Sequence, residues 1–215
     1  MSMTIHERPG VYSSYDASTV ISGSGGGRTV GLVGLVTEGE SGKLYTLNRY
    51  EDAVTQFGQE ENLTKLVQVL FRNGAAKVVA APVSGQENYQ GAFDLLAVEE
   101  DISVVVCDST ELTVQQALRQ SVCDASQARR ERIAVVGGAQ SENVEALVQR
   151  AEGLNSERVV LAAPGDDTGL AAAAVAGAIA GESDPAIPLG GAELRGLEGM
   201  EARYADTEID RKSVV

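Results

Sequence analysis

The segment KVVAAPV, Lys77–Val83, is an almost continuous apolar run of strand length, and it indicates the fold class. Apolar residues on both sides of a strand are typical of a parallel sheet that is covered on both faces. Three similar runs follow, at Ile102–Cys107, Arg132–Val136 and Arg158–Ala162. Apolar residues at helical spacing lie between them, over Tyr89–Val98, Val114–Ala125 and Val144–Ala151. This alternation predicts an α/β fold, in which helices cover both faces of a parallel sheet.

The flanking sequence extends the pattern in both directions. Before Lys77, strands are predicted at Thr29–Val36 and Leu44–Leu47, and helices at Arg49–Phe57 and around Leu63–Leu70. After Ala162, the alanine-rich run Leu170–Ala180 predicts a buried helix that Gly181 ends. From Glu182 onward prolines and glycines interrupt the pattern, which indicates an extended connector.

The first 27 residues differ from the rest, because they carry little helical periodicity. The arm contains Pro9, Gly10, Val11, Tyr12 and Tyr15. Its apolar side chains favour β-augmentation, in which an extended segment adds a strand to the sheet of another chain. A disordered tail is the alternative interpretation. The glycines that follow are interpreted as a flexible hinge, and they are Gly23, Gly25, Gly26 and Gly27.

The composition argues against several classes of function. With 215 residues, 43% of them hydrophobic, the chain can build one core, or one domain and part of another. A formal net charge of −14 argues against binding to nucleic acid or to anionic membranes. Cys107 and Cys123 lack the spacing of a metal or redox site. The run Leu170–Ala180 is shorter than the about 20 residues that cross a bilayer.

Ligand-binding motifs are weak in this sequence. Gly137 and Gly138 follow a predicted strand, but they lack the G-x-G-x-x-G spacing of a dinucleotide site and the lysine of a P-loop. Asp108, Asp166 and Asp167 follow predicted strands at the sheet edge where α/β proteins bind ligands. They could form a Mg²⁺ site, but aspartates are also ordinary in loops and helix caps, which we favour.

Catalytic chemistry is not indicated either. His6 is the only histidine and lies in the arm, so no Ser-His-Asp or Cys-His arrangement can form within the α/β region. We therefore expect no enzyme activity, no catalytic or metal-binding residue and no cofactor. Arg129, Arg130 and Arg132 have two interpretations. They mark a solvated helix end, or they form salt bridges with an acidic neighbouring subunit.

The order of several segments resembles the contractile, myovirus-type phage tail sheath protein family. The resemblance runs from about Arg8 to Ile209, and no single motif decides it. The segments that carry it are Arg8–Tyr12, Val30–Gly34, Leu44–Leu47 with Arg49–Gly58, Leu66–Val83, Arg129–Val136, Ser156–Pro164 and the alanine-rich helix leading into Ile187-Pro188-Leu189.

This resemblance implies a structural protein of a phage or phage-like particle, such as one encoded by a prophage. It implies a parallel-sheet, subtilisin-like α/β domain without a working protease, a small mixed α/β N-terminal domain and an extended N-terminal arm. Family members assemble in the host cytoplasm as stacked hexameric rings around the tail tube protein, and meet baseplate and tail terminator proteins. Strand-donating arms join the rings during contraction. Neither nucleic acid nor a membrane anchor is implied.

The expected organisation has five parts. Residues 1–27 form the arm and hinge, 28–88 the small N-terminal domain, 89–181 the subtilisin-like core, 182–209 a connector towards a missing C-terminal domain, and 210–215 a non-native tail. One encoding of Asp210–Val215, GAT CGG AAG AGC GTC GTG followed by TAG, matches a widely used sequencing adapter. We therefore expect a truncated fragment, and a natural short tail is the alternative.

Two other functions stay open from the sequence alone. One is a small flavodoxin-like α/β enzyme or nucleotide-binding protein, which would need a phosphate loop, a base or a metal cluster. The other is a β-augmenting module with a partner that is not viral, for which only the arm gives support.

Overall fold

The computed structural model of the protein describes residues 27–37, 41–184 and 187–197. The strands are β1 (Thr29–Leu35), β2 (Tyr45–Leu47), β3 (Lys77–Val83), β4 (Ile102–Cys107), β5 (Ile133–Gly137) and β6 (Val159–Ala162). The helices are α1 (Tyr50–Phe57), α2 (Asn62–Arg72), α3 (Tyr89–Val98), α4 (Leu112–Gln127), α5 (Val144–Leu154) and α6 (Leu170–Gly181). The bounds predicted for β3, α3 and β4 are confirmed without change.

The strands form one six-stranded sheet in the order β2-β3-β1-β4-β5-β6. β2 runs antiparallel to β3, and the other four pairings are parallel. At the centre of the sheet, Val33 of β1 faces Ala81 of β3 on one side and Cys107 of β4 on the other. The predicted α/β class with a mainly parallel sheet is thereby confirmed.

Helices cover both faces of the sheet because its central strands are apolar on both sides. Leu32 of β1 packs with α1, α2 and α6, whereas Val33 packs on the opposite face with α3 and α4. Both residues are completely buried. Burial on two faces explains why the central strands read as continuous apolar runs rather than as alternating ones.

A predicted domain boundary falls inside the sheet. We expected residues 28–88 to form a small domain apart from residues 89–181. Instead β1 lies between β3 and β4, and it pairs with β4 from Thr29 to Val33. The physical reason is that β1 has two apolar faces and two open edges, which a parallel neighbour on each side satisfies. The sheet is therefore continuous across residues 88 and 89.

The alanine-rich helix α6 packs closely against α2. A Cβ atom added to Gly177 would lie 2.7 Å from the carbonyl oxygen of Leu70 and 2.9 Å from Cβ of Asn73. At the end of α6, Gly181 lies against Gly74 in the same way. Small residues along α6 therefore set the distance between the two helices.

The sheet has two opposite ends that carry different loops. The carboxyl edge is the end at which the parallel strands finish, and it holds the loops that lead into α2, α3, α4, α5 and α6. The amino edge is the opposite end, where those strands begin.

Candidate functional site

The topological switch point of this sheet lies at the carboxyl edge, between β1 and β4. Counted alone, the five parallel strands have the order 2-1-3-4-5, in which successive strands are added on opposite sides of β1. In open α/β sheets with this order, ligands bind in the crevice where the direction of strand addition reverses.

Asp108 occupies the switch point. It directly follows β4, and its side chain is almost fully buried. Its Oδ2 accepts a hydrogen bond of 2.8 Å from the backbone N–H of Leu35, and its Oδ1 accepts one from the hydroxyl of Tyr89. The carboxylate therefore joins the end of β1 to the start of α3 across the place where a ligand would enter.

The groups around Asp108 are held in their protonated forms. Burial raises the pKa of Asp108 above its usual range, although hydrogen bonds from Tyr89 and Leu35 oppose this shift. Burial, followed by the nearby Asp108 charge, raises the pKa of the Tyr89 hydroxyl. The same two causes raise the pKa of the Cys107 thiol to about 12. Neither a thiolate nor a phenolate is therefore available here at neutral pH.

Side-chain and backbone atoms lie close together around Asp108. A Cβ on Gly34 would lie 2.8 Å from Cδ1 of Leu63, and a Cβ on Gly169 would lie 2.9 Å from Cα of Asp108. Gly169 also has φ of +78°, a left-handed conformation that favours glycine. The loop before α6 thus lies directly against the end of β4, and these contacts close the switch point among the described residues.

A second cluster closes the carboxyl edge between α4 and α5. The Gln115 side chain, fully buried, donates to the carbonyl oxygens of Ser109 (2.9 Å) and Gly137 (2.8 Å). Its Oε1 accepts a 3.0 Å bond from Nη1 of Arg150, which also donates to the carbonyl of Thr110 at 2.7 Å. These bonds tie the loops after β4 and β5 together.

Glu142 completes this cluster. It pairs with Arg150 through bonds of 3.0 and 2.5 Å, and it accepts the backbone N–H of Ala139 at 3.0 Å. The hydrogen bond from Arg150 is the main reason that the pKa of Glu142 lies below its usual range. Every charged group in the cluster has a partner within the chain, so its evident role is to hold the loops in place.

Asp166 and Asp167 make hydrogen bonds within the loops at the carboxyl edge. Asp166 caps α6, because its carboxylate accepts backbone N–H groups of Thr168 (2.8 Å), Leu170 (3.0 Å) and Ala171 (2.8 Å). Asp167 accepts the N–H of Gln140 at 2.9 Å. These are the loop and cap roles. Over residues 27–37, 41–184 and 187–197, no group of three or more metal-binding side chains occurs.

The three arginines that precede β5 have different environments. Arg132 is buried, and it donates to the carbonyl oxygens of Leu96 (2.8 Å) and Glu99 (2.6 Å) of its own chain. It therefore does not reach outward as expected for a salt bridge between subunits. Arg129 is exposed and Arg130 is half-buried, and both lie at the amino edge.

The remaining predicted residues belong mostly to the undescribed start of the chain. Pro9, Gly10, Val11, Tyr12 and Tyr15 of the arm lie outside the described residues, as do the hinge residues Gly23, Gly25 and Gly26. Gly27 is described. A Cβ on Gly27 would lie 2.3 Å from the carbonyl oxygen of Gly74, so the chain is already packed against the body at this position.

Sequence reasoning missed the Gln115 cluster and the role of Tyr89. One signal was available, because Gln115, Leu118, Val122 and Ala125 share the buried face of α4. A polar residue within an apolar helical stripe predicts a buried hydrogen-bonded group. The partners Arg150 and Glu142 are distant in sequence, and nothing in their local pattern identified them.

Comparison with known proteins finds solved structures that have a similar fold. No family model matches the sequence, and no curated protein matches it. Solved structures do match. One is the helical sheath of the anti-feeding prophage (AFP) in its contracted state, with a TM-score of 0.50 and 14% identity over 81% of this chain and 53% of that chain. Another is the sheath tail protein Lin1278 from Listeria innocua, with a TM-score of 0.55 and 10% identity over 76% of this chain and 58% of that chain.

This chain thus has a fold like that of two tail sheath proteins. It spans just over half the length of either. At identities of 10 and 14% the similarity shows the fold, and it confirms the predicted resemblance at that level. Separately, none of the described helices combines the length and the apolar character that crossing a bilayer requires.

Proposed function

We propose that this protein is a structural subunit of a contractile phage or phage-like tail sheath. The observation that carries the proposal is the sheath-like fold together with its closed switch point. The fold matches two sheath structures. The position where an α/β enzyme binds its ligand is filled by Asp108, Tyr89 and Gly169. A chain built in this way supplies a rigid body and surfaces rather than a catalytic site.

In this proposal the subunits polymerise as stacked hexameric rings around a tail tube, and contraction of the sheath drives the tube into a target cell. The arm from Pro9 to Tyr15 adds a strand to a neighbouring subunit, and glycines 23, 25 and 26 allow it to reach that neighbour. The core is of the subtilisin-like type without its catalytic residues, and residues 182–209 lead towards a further domain. The partners are further copies, the tube protein, and baseplate and terminator proteins.

A flavodoxin-like binding protein is the second candidate, and a specific observation favours it. The order 2-1-3-4-5 of the parallel strands is the flavodoxin-like order. The filled switch point argues against this function, because a nucleotide or flavin would have to displace the buried Asp108 and the loop at Gly169. Fluorescence titration with flavin mononucleotide and with ATP tests it, and saturable binding to the switch point would favour this candidate.

The sheath proposal is tested by assembly. The protein expressed from its intact gene should form tubes that are visible by negative-stain electron microscopy. Deletion of residues 1–20 should abolish the tubes and leave the circular dichroism spectrum of the α/β body unchanged. Tubes that survive the deletion would contradict the role of the arm. A gene for a tube protein next to this gene supports the proposal, whereas a metabolic operon contradicts it.

A further inference from the structure

The chain that follows α6 lies along the body as a strap, which we define as residues 187–197. The strap contains neither a helix nor a strand, and its first half is exposed except for Leu189. A Cβ atom added to Gly190 or Gly191 would meet nothing within 4 Å. Ile187, which is 49% exposed, lines with Leu189 a depression of about 370 Å³ that reaches the starts of β4 and β5. The first half of the strap is therefore held loosely against the body.

The second half of the strap is fixed at one residue, Asn73, which directly follows α2. Its Nδ2 donates to the carbonyl oxygen of Arg195 at 2.8 Å, and its Oδ1 accepts the backbone N–H of Arg195 at 2.9 Å. One amide side chain thus takes both backbone groups of a single residue, as a neighbouring strand would. Local turn bonds aside, these are the only hydrogen bonds that join the strap to the rest of the described chain.

The Asn73 side chain is oriented in advance for this contact. Nδ2 carries two hydrogens, and it also donates to the carbonyl oxygen of Val69 at 2.8 Å. Gly177 of α6 leaves the necessary space, because a Cβ added there would lie 2.9 Å from Cβ of Asn73. Asn73 has φ of −100°, so its backbone conformation does not call for asparagine. The bonds of the side chain therefore explain the residue type at this position.

Two leucines and a glycine complete the contact on the strap. Leu194 and Leu197 are partly buried, and they pack against the core on the face that α2 and α6 cover. Gly196, between them, has φ of +82°, and an added Cβ would lie 3.2 Å from Cγ2 of Val69. Both the left-handed conformation and the short distance favour glycine here. The strap thus depends on a few contacts that cluster at the last turn of α2.

We propose that Asn73 is a clamp for a releasable strap. Segments with few buried apolar contacts and with exposed backbone hydrogen bonds open at a low cost in free energy, before the core of a protein does. The strap has these properties, because both of its bonds to Asn73 are exposed. The helices beneath it are packed without room for a methyl group at Gly177. Loss of the two bonds should therefore free the strap as one unit and leave the six-stranded sheet folded.

The clamp determines where the rest of the chain leaves the body. While the strap is docked, the chain after Leu197 starts beside the last turn of α2, where Gly196 lies against Val69 and Arg72. Once the strap is released, residues 182–197 can span up to about 50 Å from the end of α6, at about 3.3–3.6 Å per residue. The strap is therefore a conformational device with a docked and a released position, and Asn73 sets the balance between them.

Hydrogen exchange and limited trypsin digestion of the 215-residue chain, both followed by mass spectrometry, test the clamp. Trypsin cleaves after arginine, and the backbone of Arg195 is the part that Asn73 holds. Asn73→Ala should accelerate exchange over residues 194–197 and cleavage after Arg195 by at least about tenfold each. Asn73→Asp, which keeps the size of the side chain but loses its N–H donors, should have the same effect.

Controls within the same chain separate release of the strap from damage to α2 or to the sheet. Cleavage after Arg72 reports fraying of α2, and cleavage after Lys77 reports opening of the sheet, so neither should change. Gly196→Ala alters the strap alone and should release it even if Asn73→Ala disturbs α2. Glu193→Ala changes an exposed side chain on the strap and should leave exchange and cleavage as in the wild type.

Three outcomes would overturn the inference. Wild-type exchange at residues 194–197 as fast as in an unfolded peptide would show that the clamp does not hold the strap. Unchanged exchange in Asn73→Ala would show that the leucines suffice. Loss of protection throughout the sheet in both Asn73→Ala and Gly196→Ala would show that the strap belongs to the core. Release of the strap is a property of this chain alone, so these results are independent of tube formation, which tests the sheath proposal.

Discussion

Asp108, at the end of β4, accepts a 2.8 Å hydrogen bond from the backbone N–H of Leu35, at the end of β1. The two strands are neighbours in the sheet although 73 residues separate these positions in the sequence. The bond closes the place where an open α/β sheet usually holds a ligand. A residue type that often serves catalysis is used here to hold the fold together.

Replacement of Asp108 should therefore affect stability. Asp108→Ala leaves the N–H of Leu35 and the hydroxyl of Tyr89 buried without an acceptor, which we expect to cost about 3 kcal/mol in the free energy of unfolding. Urea denaturation followed by circular dichroism measures this. Asp167→Ala, which removes one bond from an exposed loop, is the matched control and should cost less than about 1 kcal/mol. Equal effects of the two would contradict the buried role of Asp108.

The stability contributed by Asp108 should depend on pH. Because burial raises its folded-state pKa, the folded chain holds the proton more tightly than the unfolded chain does. This contribution is complete below about pH 3.9, the unfolded value, and is lost as the pH rises through the folded value. The free energy of unfolding of wild type minus that of Asp108→Asn should consequently fall as the pH is raised from acid to neutral. An unchanged difference would show that the carboxyl does not titrate abnormally.

Glu142 should show the opposite dependence. The hydrogen bond from Arg150 lowers its folded-state pKa, so its contribution is present above the unfolded value of about 4.3 and is lost as the pH falls through the folded value. Glu142→Gln should lower the free energy of unfolding by about 1–2 kcal/mol at pH 7, and by progressively less in acid. Denaturation curves at several pH values test this, and a cost that does not change with pH would be inconsistent with the ion pair.

Replacement by alanine should have opposite effects on stability at two glycines that lie in helices. Gly177→Ala places a methyl group 2.7 Å from the carbonyl oxygen of Leu70. We expect the free energy of unfolding to fall by about 1–3 kcal/mol, although alanine has a better helix propensity than glycine. Gly91, in α3, has nothing within 4 Å of an added Cβ, so Gly91→Ala should stabilise by about 0.5–1 kcal/mol. Thermal unfolding of the pair measures both. Stabilisation by Gly177→Ala would show that α2 and α6 are not in close contact.

The two cysteines should differ in reactivity. Cys107 is buried and burial raises its pKa to about 12, whereas Cys123 is partly exposed. Titration of the folded protein with a chromogenic disulfide at pH 8 should modify one thiol, and addition of urea should release the second. Cys123→Ser should leave no reactive thiol in the folded state. Rapid modification of Cys107 without urea would mean that the end of β4 opens readily.

The strand and helix segments could be predicted from local sequence patterns. Continuous apolar runs of strand length, alternating with residues at helical spacing, predicted the bounds of β3, α3 and β4 without error. Hydrophobic periodicity is a local property, so a single sequence carries it in full. The absence of a phosphate loop and of a histidine in the body was also evident from the sequence.

The positions of those elements and the roles of their polar residues depend on tertiary packing. The position of β1 between β3 and β4 depends on pairings across the whole chain, and it placed a predicted domain boundary inside the sheet. Asp108 acquires its partners Tyr89 and Leu35 from 19 and 73 residues away, and Gln115 and Arg150 meet although 35 residues separate them. Arg132 faces inward, whereas its neighbour Arg129 is exposed, because the end of α4 turns between them. Hydrogen-bond partners and burial are properties of packing, which local sequence patterns do not encode.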